Sequence, residues 1–73
     1  MLMNKKFRGM VYSTFHNAAS MAREMGWEKQ KLHRIMTGKQ EPSVSELHEL
    51  AAALHTPVIA VVNAFAPQNV LYP

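Results

Sequence analysis

The stretch KQKLHRIMT, Lys29 to Thr37, holds the side chains best suited to chemistry with another molecule. At 100° per residue, Leu32, Ile35 and Met36 share one face of a helix, and Gln30, His33, Arg34 and Thr37 take the opposite face, flanked by Lys29 and Lys31. Glutamine can bond adenine and arginine can bond guanine through two hydrogen bonds at once, while lysines reach phosphates. Gln30 and Arg34 are thus the leading expected base readers, with His33 beside them, and Lys39 lies just beyond the helix. Other chemistries find little material. The four histidines, His16, His33, His48 and His55, have no close ligand spacing and no cysteine or aspartate to support them, so neither a metal nor another cofactor is expected. No activated nucleophile, paired carboxylate or phosphate-cradling glycine loop is evident, and no enzymatic activity is expected.

Two helices joined by a short glycine turn would position that face. Asn17 is a good N-cap for a helix with an apolar stripe at Ala18, Met21, Ala22 and Met25, and Gly26 supplies the residue at which the chain can turn with positive φ. A second helix, Lys29 to Met36, follows, with Gly38 as its terminator. Steeply crossed helices need a small residue at their closest approach, which Ala22 provides, and Met21, Met25, Leu32 and Ile35 then point into a shared core. A helix-turn-helix over about Ala18 to Thr37 is the result.

Three further helices are expected around it. The first runs from about Asn4 to Ser13, with Phe7, Met10 and Val11 at helical spacing and Gly9 as a weak point. Ser43 and Glu46 have capping-box spacing ahead of Leu47, Leu50, Ala51 and Leu54, a helix ending near His55 and Thr56. Pro57 opens a fifth segment through Phe65. The fold class is all-α, as a single helix-turn-helix domain over residues 1–73.

Charge divides along the chain. All eight Lys and Arg precede Gln40, where they leave a net +6 against Glu24 and Glu28, and the remainder carries −3 from Glu41, Glu46 and Glu49. A basic half of this kind suits a polyanion. With 48% hydrophobic residues, no cysteine and no apolar stretch near the ~20 residues of a membrane span, a soluble cytoplasmic protein held by packing alone is expected. The segment VIAVVNAFA is apolar on more than one face. Val58, Val61, Val62 and Phe65 suffice for a core, and apolar residues remain beyond them. A homodimer interface is expected there, taking in Ile59, Val62, Phe65, Ala66 and Leu71, with folding-back of the tail over its own core as the alternative.

The stretch NAASMAREMGWEKQKLHRIMTGKQEPSVSELHELAAALHTPV resembles the phage-repressor or Cro-type helix-turn-helix family, also called the xenobiotic-response-element family. Arg34, Ile35, Gly38, Lys39, Pro42, Ser43, Leu47, Leu50, Ala51 and Leu54 fall on its pattern, as do Ala22 and Gly26. The resemblance implies a compact five-helix, lambda-repressor-like domain that binds double-stranded DNA, usually as a dimer. It also implies that Asn17 caps the second helix near a phosphate, that Lys29, Gln30 and Arg34 contact bases, and that Lys39 lies near the backbone. In sum, Lys29, Gln30, His33 and Arg34 are set against bases, and Asn17, Lys31, Thr37 and Lys39 against phosphates. Some positions depart from the pattern. Ala18 stands where the family commonly has Gln, Glu28 stands at the usual Ser or Thr cap, and Val11 and Met36 replace an arginine and acid pair with apolar side chains. A sequence-specific transcriptional regulator acting as a repressor is expected. An antitoxin-like or adaptor module with weak or no DNA binding is the alternative, its protein partner taken through the C-terminal segment.

Overall fold

Asn4 and Asn17 each turn a side-chain oxygen onto the backbone N–H three residues ahead, at 3.0 Å for Phe7 and 2.8 Å for Ser20. Each thereby satisfies one of the donors that a helix start leaves open. Ser43 and Glu46 do this reciprocally, Ser43 Oγ accepting from the Glu46 N–H at 3.2 Å and Glu46 Oε1 accepting from the Ser43 N–H at 2.9 Å. In a computed structural model that describes residues 4–65, these caps open three of five helices: α1 (Lys5–Thr14), α2 (Ala18–Met25), α3 (Lys29–Met36), α4 (Val44–Leu54) and α5 (Val58–Phe65). No strand occurs among the described residues, so the fold is all-α.

The helices stop as consistently as they start. After α2, Gly26 adopts φ 74°, its N–H bonds the Arg23 carbonyl at 3.2 Å, and the Trp27 N–H bonds the Ala22 carbonyl at 2.9 Å. This is the Schellman turn, which needs a left-handed residue and so favours glycine. Gly38, at φ 82°, repeats it after α3, with the Lys39 N–H on the Arg34 carbonyl at 2.9 Å. His55 repeats it after α4 at φ 55°, a conformation that histidine enters at some cost.

Between the helices lies an entirely apolar core. Phe7, Val11, Met21, Leu32, Ile35, Leu50 and Val61 are fully buried, Ala22, Met36, Ala51, Leu54 and Ala64 nearly so, and no polar residue is buried among the described residues. Burial of apolar surface at ~25 cal/mol per Å² is therefore the main stabilising force, with no buried charge to offset it. Val11 and Met36 both join this cluster, as their apolar exchange requires. The α5 stripe differs from expectation. Val61 and Ala64 are its buried members, Val58 and Phe65 pack at its edges, and Val62 stays half-buried because it sits on the shoulder of the stripe three and four residues apart.

One residue joins three helix ends. Besides capping α1, Asn4 donates its backbone N–H to the Met36 carbonyl at 2.9 Å and its side-chain Nδ2 to the Ala64 carbonyl at 3.0 Å. The last turns of α3 and α5 are thereby both held to the start of α1, and the Phe7 and Phe65 rings pack above the junction with centroids 4.8 Å apart.

Candidate nucleic-acid interface

Ala22 on α2 is only 2% exposed, and Gly26 makes the turn between α2 and α3. Leu32, Ile35 and Met36 bury one face of α3, which leaves Lys29, Gln30, His33 and Arg34 exposed on the other, with no acidic side chain within the helix. These four expected base-contacting residues are brought together on one exposed helix face. Lys39 is exposed in the turn that follows, and Asn4 places the start of α1, with exposed Lys5 and Lys6, beside the C-terminal end of α3.

The residues expected against phosphates divide. Asn17 is half-buried, and its Oδ1 is engaged by both the Ser20 N–H at 2.8 Å and the Ser20 hydroxyl at 3.0 Å, so it caps α2 as expected. Lys31 points along the protein. Its Nζ lies 2.8 Å from Glu46 Oε2 and 4.2 Å from the centre of the Trp27 ring, a cation held between a carboxylate and an aromatic face. Trp27 in turn packs against the core and donates its indole N–H to Glu49 at 2.8 Å. Lys31 thus joins α3 to the start of α4, and this is the only ion pair among the described residues. The same ammonium, followed by the Ser43 N–H, holds the Glu46 carboxyl below its ordinary pKa. Thr37 is also occupied, its hydroxyl 3.0 Å from the His33 carbonyl and 3.3 Å from that of Arg34.

Glu28 is the N-cap of α3 but makes no side-chain capping bond, and it is exposed, so a carboxylate stands at the helix start with its oxygens uncommitted to the backbone. Ala18 packs against the core. Of the expected dimer residues, Ile59 is 60% exposed, Val62 is half-buried, and Phe65 turns its ring onto Phe7; Ala66 and Leu71 lie outside the described residues.

Four residues make contacts that escape a reading of the chain alone. Gln40 accepts a hydrogen bond from Arg34 Nε at 3.1 Å, Glu46 and Glu49 engage Lys31 and Trp27, and Asn4 reaches α3 and α5. Asn4 and Glu46 alone carry a local signal, one as a good capping residue ahead of an apolar stripe and the other as the partner of Ser43 in the capping box, but neither signal names the partner across the fold.

A family profile described as a helix-turn-helix domain matches residues 16–63, well over half of the 73-residue chain, and covers α2 to α4 with most of α5. No curated protein and no solved structure matches the chain. With a left-handed glycine turn, a small buried residue on the first helix and a polar outer face on the second inside the matched stretch, the chain belongs to the helix-turn-helix domain family, a DNA-binding class.

Proposed function

We propose that the protein is a sequence-specific transcriptional repressor of the phage-repressor or Cro type that inserts α3 into the major groove. The observation that carries this is the face of α3: Lys29, Gln30, His33 and Arg34 all exposed, backed by a fully apolar opposite face. Gln30 and Arg34 read bases, His33 and Lys29 contact neighbouring base edges, and Lys39 and Asn17 set the register on the phosphates. Because Lys31 is held by Glu46 and Trp27, and the Thr37 hydroxyl is turned onto its own helix, both support the helix more than they contact phosphate. Exposed Lys5 and Lys6 add positive charge beside the same helix.

Two copies joined through α5, with exposed Ile59 at the contact, would present their recognition helices about one turn of DNA apart. Selection from a randomised DNA duplex library at low salt tests the function directly. A shared motif with two related half-sites is expected; no enrichment of any sequence would remove the DNA-reading role and favour the adaptor alternative. Sedimentation as a monomer at high micromolar concentration would remove the dimer.

A further inference from the structure

Resting on the base-reading role proposed for Arg34, we propose that Gln40 is a specificity-determining positioning residue, which holds the Arg34 guanidinium so that it meets guanine end-on. The Schellman turn at Gly38 folds the chain back over the last turn of α3, and Gln40 arrives with its backbone N–H 3.2 Å from the Arg34 carbonyl. Its side chain then reaches the same residue a second time, with Gln40 Oε1 accepting from Arg34 Nε at 3.1 Å. Two bonds thus join this pair, one through the backbone and one through the side chains.

Arginine has five N–H donors in a planar fork, one on Nε and four on the two Nη nitrogens. A guanine can be met side-on, through Nε and one Nη, or end-on, through both Nη. Gln40 takes the Nε donor, which removes the side-on mode and leaves the end-on pair for guanine O6 and N7. Arg34 is exposed, and a free arginine of this kind would lose much rotamer freedom on binding; the clasp restricts it before DNA arrives. Gln40 itself is half-buried, which limits its own movement.

The test uses the full chain and the duplex selected from the randomised library. Arg34→Ala first locates the base pair that Arg34 reads. Gln40→Met, similar in length but without the acceptor, should then lower the preference at that base pair about three- to tenfold and leave the position read by Gln30 unchanged. Gln40→Glu keeps an acceptor and should retain the preference, even with uniformly weaker binding from its charge. In an Arg34→Ala background, Gln40→Met should change no preference. Unchanged melting by circular dichroism verifies that each variant is folded. Uniform loss over all sequences from Gln40→Met, or an equal loss with Arg34 absent, would overturn the role of Gln40 while leaving base reading by Arg34 intact. If Arg34→Ala alters no base preference, the reading by Arg34 and the role of Gln40 fall together.

Discussion

Gly9 and Gly26 make a paired experiment in which sterics cancel and backbone geometry alone decides the sign. At both positions an added Cβ would meet no heavy atom within 4 Å. Gly9 lies inside α1, where alanine is favoured over glycine by about 1 kcal/mol. Gly26 sits at φ 74°, where an L side chain costs about 1–2 kcal/mol against a gain of about 0.4–1 kcal/mol from a stiffer unfolded chain. Gly9→Ala should therefore raise the stability by about 1 kcal/mol and Gly26→Ala lower it by about 1 kcal/mol, each moving Tm by roughly 4–8 °C in opposite directions. Urea unfolding followed by circular dichroism reads both, with unchanged slopes showing that the native state is compared with the same unfolded state. Destabilisation by Gly9→Ala, or an unmoved midpoint for Gly26→Ala, would refute backbone geometry as the source of the two signs.

Asn4→Ala removes a cap and a tie to Ala64 together and should cost about 1–3 kcal/mol in urea unfolding, with Asn4→Asp, which keeps only the cap, falling between. The Glu46 carboxyl is held below its ordinary pKa by Lys31, so its contribution is complete above the unfolded value and is lost as pH falls through the lower folded value; Glu46→Gln should flatten that acid limb of a stability profile, by less than about 1 kcal/mol because the pair is solvent-accessible. On DNA, Gln30→Ala or Arg34→Ala should cost about 1–3 kcal/mol and relax one base position. Lys39→Ala should instead weaken all sequences alike and reduce the slope of log K against log salt by about 1, both measurable by fluorescence anisotropy.

Helix ends are set by residues within a turn of them, which is why Asn17, Gly26 and Met36 bound α2 and α3 where a reading of the chain puts them. The capping box of α4 is legible for the same reason. Periodicity separates the exposed face of α3 from its buried face but cannot say which exposed residue has a partner. Lys31 flanks that face along the chain just as Lys29 does, yet its partner Glu46 lies across a loop and on another helix. The Arg34 to Gln40 bond likewise depends on how Gly38 folds the chain back. In α5 the apolar residues exceed what one face can bury, and a reading of the chain places Val62 in the core where the face packed on α1 and α4 buries Ala64 instead.

The junction at Asn4 has a consequence for the geometry of an operator. Its backbone nitrogen and its side-chain amide bond carbonyls in the last turns of α3 and α5, so the offset between those two helices is spanned by the covalent frame of a single residue. In a dimer joined through α5, the separation of the two recognition helices is then a property of each subunit's interior as much as of the contact between subunits. For the proposed dimer on two half-sites, loosening Asn4 is expected to widen the range of spacings accepted before it weakens the grip on either half-site alone.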